Sequence, residues 1–500
     1  MFFDYILFSN DLIFMLPEFF FSISILFGIS FFTILGNSKF FQKPFLGLVS
    51  GYFSLFILLF TFFLTFNNLD IENICFFFQF HNNFFINSVK LFLLFSCFFC
   101  IFFSLDFIQK DILDFFEFFI VIQLSVLGML FLICSFSFIS FYLSLELLSL
   151  SLYILASMKK NSNFSTEAGL KYFILGSLAS CLLLFGITLI YGFTGLLFFD
   201  DLFLFNSIFL SLLDKSFFDG VTLGLLLFSI GLFFKIGAAP FHFWVIDVYE
   251  GVPLPVTAFF AIVPKIAFIN FILLFFNTFF FSFFFFWNQW FIFLAFFSFI
   301  IGTFGAIFQI KIKRLLAYSA ISQIGFLCLG FSLNTVESFQ AVFFFIFIYV
   351  ILSILIFSLI FCLRRFDNNL EIKNILHLKN FFKINPFFSI LFCLAFFSLA
   401  GIPPLVGFFS KFFIFFASVK EFYYFFSLFS LIMSVISSFY YIRMIKLVFF
   451  DYKNSWVFLY PISKIFSFII IIFSFFNLFF FVCPQPILIF CYKSVLFLYF

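Results

Sequence analysis

The chain has 500 residues, of which 65% are hydrophobic and only 9% charged, against about 25% charged in soluble globular proteins. So few polar side chains exclude a water-soluble fold, and the small net charge of +3, with dispersed basic residues, excludes a nucleic-acid-binding stripe. Phenylalanine fills 118 positions, in runs such as 279–286, where only Ser282 interrupts. A bilayer accepts Phe as readily as Leu, so this reads as the codon bias of an AT-rich organelle genome. The N-terminus has neither an Arg-rich amphipathic leader nor a basic region with a cleavage site, as expected for a chain made inside an organelle. Cys97 and Cys100 form a Cys-x-x-Cys, but it lies mid-helix without a glycine turn or histidine partners and reads as packing. No haem, iron–sulfur, flavin or nucleotide motif occurs, so no cofactor or metal is expected on this chain.

A span needs about 20 mainly apolar residues. In chain order, helices are predicted near 12–35, 45–66, 88–107, 115–133, 137–157, 168–193 and 222–247. Seven more follow near 254–276, 290–310, 315–333, 338–362, 385–418, 422–450 and 463–490, giving an all-α polytopic membrane protein of about 14 spans. Lys and Arg support that count. With the N-terminus outside, 17 of the 25 fall in or beside inward loops, among them Lys39, Lys43, Lys159, Lys160, Arg314, Arg365 and Lys453. Four (Lys90, Lys215, Lys420, Lys493) fall on the other side, a strong positive-inside bias.

Four lysines remain inside spans: Lys171, Lys235, Lys265 and Lys411. Glu146 is the one carboxylate expected deep in a helix, while Glu18 and Glu117 sit in first turns, where snorkelling and the helix dipole help them. Each ionised group at the bilayer centre costs about 2.5–3.5 kcal/mol on insertion scales, so five would cost about 12–18 kcal/mol. Buried pairs seldom repay their desolvation, and four lysines cannot all pair with one glutamate. Desolvated lysines exchange protons near neutral pH, which makes the set a candidate proton path. Lys171, near the start of its helix, is the member expected to be structural.

Two of these lysines adjoin breaks. Lys235 precedes Gly237 and Pro240, and Lys411 follows Gly401, Pro403 and Pro404. The 385–418 segment would be roughly 50 Å long if straight, far more than a core of about 30 Å, so an interruption is expected near Gly401–Pro404. The seventh and twelfth spans lie five apart and cross in opposite directions, a pattern of inverted-repeat transporters. The implied organisation is three N-terminal spans (1–110), a first five-helix repeat (111–285), a second, inverted repeat (286–455), and a C-terminal helix and tail (456–500).

Five strings then carry a family resemblance: LELLSL around Glu146, EAGLKYFILGSLAS, GLFFKIGAAPFHFWVIDVYEGVPLPVTAFFAIVPK, KRLLAYSAISQIGF and SLAGIPPLVGFFSKF. They resemble the antiporter-like subunit N family of respiratory complex I, which includes its mitochondrial counterpart, subunit 2. The resemblance implies a proton-translocating membrane-arm subunit, with Glu146, Lys235, Lys265 and Lys411 as its relay and Glu146 paired with Lys235. It implies NADH, FMN, iron–sulfur clusters and ubiquinone in the parent complex, none on this chain. Neighbouring antiporter-like and small membrane subunits would be its partners, together with lipids, and the mitochondrial inner membrane its location. A lysine or histidine commonly stands in the family's YSSIAH-like motif; here YSAISQ places Gln323 there, which can orient water but cannot titrate. His242, after the first break, is a second candidate for orienting water. An Mrp-type cation/proton antiporter subunit is the alternative reading.

Overall fold

The computed structural model describes residues 11–36, 45–111, 116–209, 215–364, 371–379, 381–451 and 461–498. Lys39, Lys43, Arg365 and Lys453 lie outside the described residues. The chain forms two compact units, one of residues 1–236, 251–287 and 496–500, the other of 237–250 and 288–495. Among the described residues twelve helices are long and apolar enough to cross a membrane, and 13 spans result if one bent pair counts as a single crossing.

The first unit contains α1 (Leu16–Gly36), α2 (Phe45–Asn67), β1 (Asn73–Cys75), β2 (Phe80–Asn82), α3 (Phe84–Asp111) and α4 (Glu117–Cys134). It continues with α5 (Phe138–Ser157), α6 (Asn163–Thr194), the short α7 (Phe199–Phe209), α8 (Lys215–Ile236) and, after a short helix of the second unit, α10 (Leu254–Leu274). Every residue of α10 is buried, as expected of a helix apolar on all sides, and it packs on α3, α4, α5 and α8. Spans begin where polar side chains can hold free amides: Asn83 accepts from the Ile86 N–H at 2.8 Å, and Ser137 and Ser140 form a reciprocal capping box on α5. The Asn83 cap starts α3 four residues before the predicted 88. An antiparallel hairpin, β1 with β2, fills the connection before it, with Asn73 opposite Asn82.

The second unit contains α9 (Phe243–Gly251), most of α11 (Phe284–Ile307), α12 (Ile312–Ser332) and α13 (Val336–Phe361). Then come α14 (Phe381–Ile384), α15 (Pro386–Ala400), α16 (Val406–Lys420), α17 (Tyr424–Phe449), α18 (Lys464–Phe479) and α19 (Gln485–Leu496). The segment expected at 222–247 is not one helix: α8 ends at Ile236 and α9 begins at Phe243. The 385–418 segment divides into two 15-residue helices, α15 and α16, at the expected Gly401–Pro404 interruption. Gly237 and Gly401 each end a half-helix at φ +80° and +88°, a conformation that disfavours any side chain. The predicted 463–490 helix also bends, by 89° just before Gln485, because Pro484 cannot continue the ladder. Buried serines in these spans are satisfied locally, as when Ser358 donates to the Leu355 carbonyl at 2.7 Å.

Candidate functional site

In the first unit the site is built on α5, α8 and α10. Glu146 is half-buried on α5, and its Oε1 is shut away from solvent with no hydrogen-bond partner among the described residues. Its Oε2 accepts from the Ser149 hydroxyl at 3.3 Å. Lys235, in the last turn of α8, is 6% exposed; its Nζ donates to the Tyr153 hydroxyl at 3.3 Å and lies 5.6 Å from that ring's centroid. Glu146 acts on Lys235 electrostatically, but the two form no direct ion pair. Lys265, next to Pro264 within α10, is buried in the same unit, and α10 packs on α8.

In the second unit Lys411 projects from the first turns of α16. Its Nζ donates to the carbonyls of Leu399 and Ala400 at 3.0 and 2.9 Å. These are the last carbonyls of α15, which lack intrahelical donors and carry the negative end of the helix dipole. The lysine thus finds its counter-charge in broken backbone, not in a carboxylate. It also lies 5.5 Å from the centroid of the Phe326 ring. A Cβ on Gly401 would stand 3.2 Å from Nζ, so glycine leaves room for the ammonium as well as allowing the turn. Gln323 and Lys411 line one small cavity with Ser398, Ser410 and Tyr349. Beside Gln323, the Ser322 hydroxyl lies 3.5 Å from that of Tyr440. His242 is buried after the first break, with Nδ1 3.2 Å from the Pro240 carbonyl and its ring stacked on Phe243.

Two placements correct the sequence reading. Lys171 is not buried: it is 45% exposed and pairs with Glu167 one turn earlier at 2.8 Å. Glu18 does not snorkel, and Lys90 is not a loop charge. Both are almost fully buried, with Lys90 Nζ 2.5 Å from Glu18 and 2.6 Å from Asn82 Oδ1. Burial and the Lys90 charge push the nearby His81 imidazole down to about 4, so it stays neutral near pH 7. This pair ties α1 to α3 and β2. Glu18→Ala strands the ammonium and should destabilise the assembled protein by about 3–5 kcal/mol. Glu18→Leu with Lys90→Met should recover most of that, both read as thermal stability of the solubilised complex. An unchanged single variant would show that the pair bears no structural load.

Sequence reasoning also missed Ser149 and Tyr153. Their signal was spacing, three and seven residues after Glu146 on one helical face. Glu250, within DVYEG, is held by Lys311 and Arg314, which anchors that motif inside the second unit. No group of three or more His, Cys, Asp or Glu able to hold a metal occurs among the described residues.

Residues 135–437 match the family model described as NADH:quinone oxidoreductase/Mrp antiporter, TM. The chain is 38% identical to NADH-ubiquinone oxidoreductase chain 2 of Marchantia polymorpha, covering 98% of this chain and 99% of that one. It is 39% identical to NADH-quinone oxidoreductase subunit N of Parvibaculum lavamentivorans, covering 81% and 82%. Among solved structures it resembles a chain of respiratory complex I from Thermus thermophilus with bound aureothin, at TM-score 0.76 and 25% identity over 94% of this chain and 98% of that one. Buried lysines at two helix breaks, the whole-length similarity and the family match agree: the chain belongs to the NADH:quinone oxidoreductase/Mrp antiporter family, as an antiporter-like membrane-arm subunit of the complex I subunit N and chain 2 type.

Proposed function

We propose that this chain moves protons across the mitochondrial inner membrane through Glu146, Lys235, Lys265 and Lys411, driven by NADH:ubiquinone electron transfer in other subunits of complex I. The observation that carries the reading is how the buried ammonium groups are solvated. Lys235 rests on a phenol and Lys411 on freed helix carbonyls, with no carboxylate among the described residues bonded to either. Partners of that kind stabilise an ammonium without locking it, since neutral oxygens also tolerate the amine that remains after proton loss. Buried ion pairs built for stability look like Glu18–Lys90 instead. Gln323 and His242 orient water along the path, and the NADH, FMN, iron–sulfur and ubiquinone sites belong to other subunits.

The break after Ala400 leaves backbone carbonyls beside Lys411, which is tolerated at membrane depth only against protein or a water-filled cavity. Residues 111–285 and 286–455 form the two inverted repeats in this reading, and the breaks after Ile236 and Ala400 are equivalent positions within them. The neighbouring antiporter-like and small membrane subunits cover the chain's flanks, and lipid covers the rest. Lys235 and Lys265 act as one connected polar axis between α8 and α10. Lys265→Met in the assembled complex should therefore cut proton pumping severalfold while complex abundance holds, measured as acidification per NADH oxidised in sealed vesicles. Wild-type pumping would remove Lys265 from the path.

A further inference from the structure

Glu146, Ser149 and Tyr153 occupy one face of α5, so a carboxylate, a hydroxyl and a phenol follow one another along that face. The Ser149 hydroxyl lies 3.3 Å from Glu146 Oε2 and 3.2 Å from the Glu146 carbonyl, either of which can accept from it, and stands one helical turn before Tyr153, whose hydroxyl accepts from Lys235 Nζ at 3.3 Å. Ser149 and Tyr153 are both buried. The phenol is held in place: Tyr172 and Phe173 of α6 meet its ring edge-on at 4.8 and 5.6 Å between centroids. Gly176 leaves the space it needs, since a Cβ there would stand 2.2 Å from the hydroxyl oxygen. Among the described residues, Glu146 is the one charge that acts on Lys235. The other titratable side chains on helices packed against α8 are tyrosines and Cys181, the exposed Lys171–Glu167 pair and Lys265 on α10.

We propose that Ser149 and Tyr153 form a hydroxyl bridge through which the Glu146 charge reaches Lys235, as positioning residues for a proton-carrying lysine. The proposal rests on the relay reading of Lys235. Serine and tyrosine hydroxyls each donate and accept, so an ionised Glu146 orders the chain in one direction. Ser149 donates to the carboxylate, Tyr153 donates to Ser149, and the phenol's lone pairs then face the ammonium. Each bond polarises the next, which transmits the charge without a direct ion pair. Loss of the Glu146 charge releases that order and with it the preference for the ammonium over the amine.

The test uses the assembled complex in sealed vesicles, with pumping measured against pH. Tyr153→Phe keeps the ring and its packing but removes the bridge, and Ser149→Ala removes the other member. Each should move the alkaline limb of the pumping profile about one pH unit lower, a tenfold weaker hold on the proton. In a Glu146→Gln background neither should add a further shift, because the charge to be transmitted is already gone. Wild-type profiles in both single variants, or full additivity with Glu146→Gln, would overturn the bridge. Lys235→Met separates this from the underlying reading: if it pumps normally the relay itself is wrong, whereas if it fails while Tyr153→Phe and Ser149→Ala behave as wild type, only the bridge is wrong.

Discussion

Lys411→Met should leave the complex assembled and cut both proton pumping and coupled quinone reduction severalfold. Methionine matches the length of the lysine stem and fits the apolar surroundings on α16, so packing of α16 on α13 and α12 is retained. What disappears is the ammonium bonded to Leu399 and Ala400. Two carbonyls at the end of α15 then lose a charged donor, at about 1–3 kcal/mol each unless water from the adjoining cavity replaces it. That loss alone could lower activity by loosening the break, so a second variant is needed. Lys411→Arg restores charge and donors to the same carbonyls but does not release its proton. If Lys411 only ties the two half-helices together, arginine should rescue pumping. If it carries protons, arginine should recover stability and still fail to pump. Normal pumping in Lys411→Met would rule out both roles.

Much of this architecture is legible in the sequence because the bilayer allows few solutions. A run of about 20 apolar residues has to be a helix, and glycine–proline clusters have to interrupt one. The break at Gly401–Pro404 is legible to within a few residues, its existence from length and its place from the glycine and prolines. Lys235, Lys265 and Lys411 stand out for the same reason, each being a buried charge flanked by apolar sequence within a span. Partners are much less legible. Nothing near Glu18 announces that Lys90, 72 positions later, will be brought against it, and a first-turn glutamate ordinarily reaches water. Lys171 was misplaced because its helix begins five residues before the predicted 168, which puts the Lys171–Glu167 pair on an exposed helical face. Hydropathy contains no term for a carbonyl freed by a helix break, so the solvation of Lys411 was invisible although its position was not. Tyr153 was passed over because a tyrosine in a membrane helix is ordinarily packing. Only the geometry around Lys235 sets it apart.

Glu146→Gln is the sharpest discriminator between charge transmission and structure. Glutamine keeps the shape of the side chain and still accepts from Ser149, so the helix face survives and only the charge is removed. In a structural ion pair, deleting one charge strands the other and destabilises by about 3–5 kcal/mol. That is the expectation for Glu18, which touches Lys90, and not for Glu146, which touches no lysine among the described residues. The Glu146 variant should therefore assemble to normal abundance with unchanged thermal stability. Its effect should fall on function instead. On the proposed relay reading the charge favours the ammonium form of Lys235 and its weakening lets the proton go, which would make the pair a switch. Fixing Glu146 in the neutral state removes one of the two settings, and both quinone reduction and pumping should fall severalfold because they are coupled. Acidification per NADH oxidised and melting temperature together decide the matter. Lost assembly would return Glu146 to a structural role, and wild-type pumping with normal stability would show that Lys235 takes no signal from it.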